Sequence, residues 1–451
     1  MELTSETTPV EGALIRALTA RFPPSDQIPN NFSSLDRAYA DAMRPVYHQF
    51  PNDSDIAAIF ADALMCMRGL WDLDTGEPTG EHTVEARRII EEGMQTPEGR
   101  HHPALCHLHI HVMEMSPCPE LAVPAADRLR FLVPDGSHML HMPTHIDAAL
   151  GDYRCAVDSN HLATLADDKY FGSESLSLLP GGSLNDVGYR VHYVCAMLYA
   201  AMMSGRFVDA MSTAEKLEAV IDEKLLAIES PPVADAVESF VASKAHVLIR
   251  FGRWEEILAL PLPANRELYG ATAAVILYAR GLAFSALSRI PEAESRFNSI
   301  PCKEVDVLSV ASAMLTGELE YRKGNYEVAF AALRKAIRCE NALPYSDPPP
   351  WKQPVRHALG GVLLEQDRVA ETEVLFREDL GLAKDYPRRR ARLNNVRGLH
   401  GLYECFTQQG KTDKAVFFQS AWDIAVATAD VPVKASCYCR VSAVGTKQSC
   451  M

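Results

Sequence analysis

A chain of 451 residues, 47% hydrophobic and 23% charged, has the composition of a globular protein rather than of a disordered or collagen-like one. Lys+Arg 44 against Asp+Glu 59 gives a formal charge of −15, which argues against a non-specific grip on nucleic acid or an anionic membrane, because both need basic surface. No run approaches the ~20 apolar residues that span a bilayer. The acidic start Met-Glu-Leu-Thr-Ser-Glu is not a signal peptide, and 11 scattered cysteines read as reduced thiols. The expectation is a soluble cytoplasmic protein with no membrane or nucleic-acid partner.

In chain order, residues 1–33 read as an N-terminal helical cap or extension. From 34 to 170, alanine-rich segments carry apolar residues at i, i+3, i+4 and i+7, the pattern of amphipathic helices. Leu35–Ala40 followed by Phe50–Met65 is the first such pair. Of 15 histidines, eight then fall between His101 and His145, far above an even scatter, so chemistry is sought there. His107, His111 and Glu114 stand at i, i+4 and i+7, one face of a helix over two turns. His138, His141 and His145 stand at i, i+3 and i+7. If the segment is helical these too share one face, but Pro143 forces either a kink or a helix start near Met142, the latter leaving His138 and His141 on the entering loop. A short helical excursion from Glu120 to Val133 joins the two clusters, so both faces can meet across one groove. His101, His102, His109 and His161 read as packing or surface residues.

The Pro/Gly-bearing stretch 171–187 reads as a hinge or loop. Repeats with one shared turn fill the chain to 429: Gly151-Asp-Tyr-Arg-Cys-Ala156, Gly205-Arg-Phe-Val-Asp-Ala210, Gly252-Arg-Trp-Glu-Glu-Ile257, Ser288-Arg-Ile-Pro-Glu-Ala293, Gly324-Asn-Tyr-Glu-Val-Ala329, Asp367-Arg-Val-Ala-Glu-Thr372 and Gly410-Lys-Thr-Asp-Lys-Ala415. Their starts lie 54, 47, 36, 36, 43 and 43 residues apart, the rhythm of tetratricopeptide-type hairpins loosened by insertions. The physical sense is that a left-handed cap ends one helix, an aromatic or apolar residue staples the next, and a small residue lets the two approach. Residues 430–451 read as a flexible tail. The expected fold is therefore all-α, a solenoid of antiparallel tetratricopeptide-like hairpins, with the histidine cluster in 34–170 and further repeats in 188–429.

Several neutral imidazoles with one carboxylate are what a transition metal asks of its ligands. Six imidazoles exceed a four-ligand structural zinc site and suit one metal with an outer shell, or two metals. The rival reading is a polar groove that binds an anionic ligand or peptide. HExxH, Walker, GxGxxG and GxSxG patterns are absent, so no nucleotide cofactor is expected. Tyr345–Arg356 reads either as a substrate rim, with Trp351 stacking and Arg356 meeting a carboxylate, or as a connection packed by Trp351. Arg388–Arg392 reads as a solvated helix start.

The run His102-Pro-Ala-Leu-Cys-His-Leu-His-Ile-His-Val-Met-Glu114, then Gly136-Ser-His-Met-Leu-His-Met-Pro-Thr-His-Ile146, resembles a family of bacterial and fungal tetratricopeptide-repeat proteins with HPGAxHxxIHxxE and GHxxHMPSHI motifs. Asp62-Ala-Leu-Met with Leu70-Trp-Asp-Leu, Arg250–Leu258, Asp347–Trp351 and Phe376–Leu380 match in the same order. The resemblance spans roughly residues 35 to 425 and implies a fold more firmly than a reaction. It also implies that His192-Tyr-Val-Cys195 stands for a paired-histidine motif whose second member is here Cys195, and that Asp62 replaces a glutamate.

The metal ligands expected on these grounds are His107, His111, Glu114, His138, His141, His145 and His192, with Asp62, Cys195, Trp351 and Arg356 as outer-shell or substrate residues. No catalytic residue is assigned. The expected function is a metal-dependent enzyme, with iron or copper favoured over zinc, that oxidises a small organic molecule such as a secondary metabolite. The alternative is a non-catalytic scaffold that binds a partner protein or peptide.

Overall fold

The computed structural model describes residues 7–22, 31–67, 69–172, 184–227, 233–300 and 306–440. Contacts divide the chain into two units, Met1–Leu150 with Pro387–Arg389, and Gly151–Tyr386 with Arg390–Met451. Both are helical. Among the described residues the only β pairing is an isolated antiparallel bridge, Trp71 to Pro78.

The first unit holds α1 (Pro9–Leu18), α2 (Ser33–Gln49), α3 (Ser54–Met65), α4 (Glu81–Gly93), α5 (Pro103–Glu114), α6 (Val123–Leu132), α7 (Ser137–His141) and α8 (Pro143–Leu150). Its start signals are local. Thr8 and Glu11 form a capping box on α1, the Asp53 carboxylate accepts two N–H groups at the head of α3, and α5 and α8 each open on a proline. One core, built on Met43, Phe60, Ile89, Leu105, Ile110 and Leu129, joins α2 through α6.

The second unit runs α9 (Tyr153–Phe171), α10 (Leu184–Ser204), α11 (Phe207–Val220), α12 (Glu223–Leu226), α13 (Val233–Val241), α14 (Ser243–Arg250), α15 (Trp254–Ala259), α16 (Gly270–Ala286), α17 (Ile290–Ser299), α18 (Asp306–Arg322), α19 (Tyr326–Ala342), α20 (Val355–Glu365), α21 (Val369–Asp379), α22 (Val396–Gln408) and α23 (Thr412–Val426). The seven expected turn residues, Gly151, Gly205, Gly252, Ser288, Gly324, Asp367 and Gly410, all have φ between 55° and 83°. In six of the turns the next residue (Arg206, Arg253, Arg289, Asn325, Arg368 or Lys411) donates its N–H to the carbonyl five residues back, at 2.8–3.0 Å. That bond and the left-handed residue before it define a Schellman cap, which satisfies the last carbonyls of the ending helix.

The small or apolar residue that closes each motif (Ala156, Ala210, Ile257, Ala293, Ala329, Thr372, Ala415) is buried. Alternate helices stack, α14 on α16 on α18 and α20 on α22, and each packs against the helix after it. This is the tetratricopeptide-like, all-α solenoid expected from the repeats.

Three expectations about organisation change. The division falls after Leu150 rather than at 171–187; of that stretch, 173–183 lie outside the described residues. Part of the reason is that residues 387–389 fold onto the first unit, where Arg388 Nη2 donates to Ala149 O at 3.0 Å. The segment 431–440, expected as part of a loose tail, is packed. Ala435 and Ser436 are fully buried, and Arg397 Nη1 donates to Ala435 O at 3.0 Å. Residues 441–451 lie outside the described part. Cys437 and Cys439, expected as free thiols, are joined in a disulfide within that packed segment.

Inside the second unit a buried ionic network replaces part of the apolar core. Asp379 accepts from His357 Nε2 at 2.7 Å and from Asn395 Nδ2 at 2.8 Å, and the Arg250 guanidinium meets His357 Nδ1 at 2.8 Å. Burial works to raise the Asp379 pKa, but the partners outweigh it and hold the carboxyl below the usual carboxylate range.

A close helix approach in the second unit is made over the Phe376 ring, which sits where a Cβ on Gly401 would lie 2.3 Å away and one on Gly360 2.7 Å away. Gly401→Ala should therefore destabilise by overpacking, about 1–3 kcal/mol. Gly410→Ala has open space around it and should lose only the left-handed backbone term, about 1–2 kcal/mol. Combining each with Phe376→Leu separates the two: in a thermal melt, Phe376→Leu should lessen the cost of Gly401→Ala and leave that of Gly410→Ala unchanged.

Candidate metal centre

The centre is built in the first unit from α5, α7 and α8. Pro103 opens α5 and His102 caps it, its ring accepting from Leu105 N at 3.4 Å and lying 3.0 Å from Asp55. This fixes the register that sends His107, His111 and Glu114 to one side of α5, while His109 turns to the other and lies 3.7 Å from Glu91. Trp71 Nε1 donates to Val112 O at 2.6 Å and anchors the last turn of α5. The helical path is broken at Met142 and restarts at Pro143, so the segment before the proline is helix rather than an entering loop. His138 and His141 sit on the five-residue helix α7, and His145 follows on α8.

Five imidazoles close into a ring. Successive centroids are 5.0 Å apart from His107 to His138, 6.1 Å from His138 to His141, 4.8 Å from His141 to His145, 5.3 Å from His145 to His111 and 4.7 Å from His111 to His107. Two Nε2 pairs are close, His107 with His138 at 3.1 Å and His141 with His145 at 3.0 Å. Glu114 spans the edge between His111 and His145. Its Oε1 lies 2.9 Å from His111 Nδ1 and its Oε2 2.5 Å from His145 Nδ1.

A carboxylate can only accept, so both rings carry their proton on Nδ1 and turn Nε2 away from Glu114. Burial works to raise the Glu114 pKa, but His145 and His111 outweigh it and hold the group well below the ordinary carboxyl range. The tautomers propagate. His145 Nε2 accepts from His141 Nε2–H, and His141 Nδ1 meets Thr144 Oγ1 at 3.3 Å. Glu114 thus stands where a carboxylate behind a metal-bound histidine stands, fixing the ring and raising its basicity. Its side chain is 8% exposed and that of His145 4%, whereas His111 is 31% exposed and forms the open edge.

Donor atoms of His107, His111 and His138 lie within 4.8 Å of one another, as do those of His111, Glu114 and His145, close enough for either set to hold an ion. Of the other expected residues, Asp62 on α3 interacts electrostatically with His111 and Arg21 but makes no hydrogen bond to the ring. His192 is half-buried on α10 of the second unit. Cys195, also on α10, is fully buried, and burial pushes its thiol up, away from a thiolate. Trp351 is 1% exposed and packs on His246 and Tyr278, the connection reading rather than the substrate rim. Arg356 spends its charge internally, with Nε 2.9 Å from Glu378. Thr144 and Trp71 were not anticipated; the one available signal was Thr144 standing three residues after His141 and just before His145.

No known family matches the chain, and no curated protein matches it. Among solved structures it is similar to the human IFIT1 dimer with m7Gppp-AAAA, at 13% identity and TM-score 0.35, over 87% of this chain and 78% of that one. It is also similar to Naa15/Naa10 bound to HypK-THB, at 11% identity and TM-score 0.25, over 92% and 75%. The fold class rests on the helices and caps described above, and these two likenesses add no argument to it. No described helix is long and apolar enough to cross a membrane.

Burial, then the charges of neighbouring imidazoles, lowers the pKa of His107 to about 2 and that of His138 to about 4. In the metal-free protein both stay neutral where an unfolded histidine, near 6.5, takes up a proton. Their folded pKa values are depressed, so the unfolded state binds more protons below 6.5. Stability is full above that pH and falls as pH drops towards 4. Glu114 begins to contribute to the loss only below its unfolded value of about 4.5. The melting temperature of metal-free protein should fall from pH 7 to 4.8, and fall less in His138→Gln; superimposable profiles would contradict a neutral His138.

Proposed function

We propose that the first unit is a transition-metal centre carried on a tetratricopeptide-like scaffold, and that the protein uses it to oxidise a small organic molecule in the cytoplasm. The observation that carries this reading is the buried Glu114 hydrogen-bonded to two histidines, which leaves their Nε2 atoms as ligands beside three further imidazoles. Three or more imidazole donors with no thiolate among them suit copper, iron or zinc. A redox metal would supply the oxidation, and the protein's residues would bind it, set the tautomers and leave one edge open at His111. His107, His111, His138, His141 and His145 would ligate; Glu114 would act behind His111 and His145 rather than as a ligand, and His192 remains a further ligand we propose from the motif alone. The resemblance to the bacterial and fungal family with the two histidine motifs supports the same site.

A second reading, a scaffold for a partner protein, is favoured by one feature. The outer face of α23, the last helix of the array, exposes Val416, Phe417 and Ile424, where solenoid ends are normally polar.

Loading with Fe(II) under anaerobic conditions, or with Cu(II), separates the two. The enzyme reading expects at least one equivalent retained after desalting. It also expects a melting temperature raised by roughly 5–10 °C at a free metal level of about 100 Kd, corresponding to about 2.7 kcal/mol. His111→Ala and His145→Ala should each reduce retention. Less than a tenth of an equivalent with an unchanged melt sinks it, and partner capture indifferent to both substitutions and to chelator would support the scaffold.

A further inference from the structure

The ring of imidazoles has more donors than one ion can use, and they are distributed unevenly. An ion holding imidazole nitrogens at about 2.0–2.1 Å places two of its ligands about 2.9 Å apart at a right angle and about 3.3 Å apart at a tetrahedral one. His107 and His138 Nε2, at 3.1 Å, and His141 and His145 Nε2, at 3.0 Å, both fall in that interval without any movement. The two pairs occupy opposite edges of the ring. They are separated by the 6.1 Å step from His138 to His141 on one side and by His111 on the other. His111 completes a three-donor set with the first pair.

On these distances, and resting on the metal-centre reading above, we propose that the site holds two first-row transition-metal ions, one on His107, His111 and His138 and a second on His141 and His145. The first ion has three protein ligands and the second two from this unit. Glu114 and Thr144 serve the second ion differently. Glu114 holds His145 with its Nε2 outward. When His141 Nε2 is given to the metal the ring proton moves to Nδ1, and Thr144 Oγ1 can accept its hydrogen bond, because a hydroxyl both donates and accepts. Without metal, the same two pairs are N–H···N hydrogen bonds.

The test uses the full chain stripped with chelator and titrated with Cu(II), with copper per chain counted after desalting and the electron-paramagnetic signal integrated. Two coppers per chain are expected, with the integrated signal below two spins if the ions are coupled. His141→Gln and His107→Gln should each retain one copper and recover one full isolated spin. Circular dichroism and the melt establish that each variant is folded, and His145→Gln replaces His141→Gln if that variant is not.

One copper in the wild type, lost in His107→Gln and kept in His141→Gln, would overturn the two-ion assignment and leave the single-metal reading intact. Two coppers retained in every variant would also overturn it, because the ions would then sit elsewhere. Retention below a tenth of an equivalent would remove the metal reading together with this one.

Discussion

A buried carboxylate is stable only if its charge is met by hydrogen-bond donors, and everything at the candidate centre follows from how Glu114 satisfies that condition. Its two oxygens are taken by the Nδ1 protons of His111 and His145, from two different helices. The pairing joins α5 to α8, fixes two tautomers, and through His145 orients His141 and Thr144. His107 and His138 are kept neutral by burial and by the neighbouring imidazoles, while the carboxylate of Glu114 stays ionised.

The fold was legible where chemistry is local. The turn residue recurs seven times and takes positive φ each time, in most cases followed by an apolar staple and a small residue three positions after it. Ser288 and Asp367 show that the position, rather than glycine itself, is what the motif encodes. The α5 face was legible for the same reason: three residues at i, i+4 and i+7 share a side of any helix.

What could not be read depends on contacts distant in sequence. The periodicity of a solenoid looks alike along its whole length, so the break after Leu150 carries no compositional mark. It is set in part by residues 387–389 returning to the first unit. The packed segment at 431–440 looked like a tail because it lacks helical spacing, yet it is held by Arg397, a side chain whose partner is a backbone carbonyl that no pattern identifies. Glu114 was legible as a member of the site because the spacing puts it on the right face, but its hydrogen bonds to two Nδ1 atoms on different helices were not.

The claim on which the account turns is the state of those two rings, and it can be measured without any metal. Nitrogen-15 chemical shifts and two-bond couplings in selectively labelled, metal-free protein at pH 7 report which ring nitrogen carries the proton. The account predicts Nδ1–H tautomers for His111 and His145, with both reverting towards the Nε2–H form that free histidine prefers in Glu114→Gln. Nε2–H tautomers in the wild type, or rings unaffected by Glu114→Gln, would contradict it.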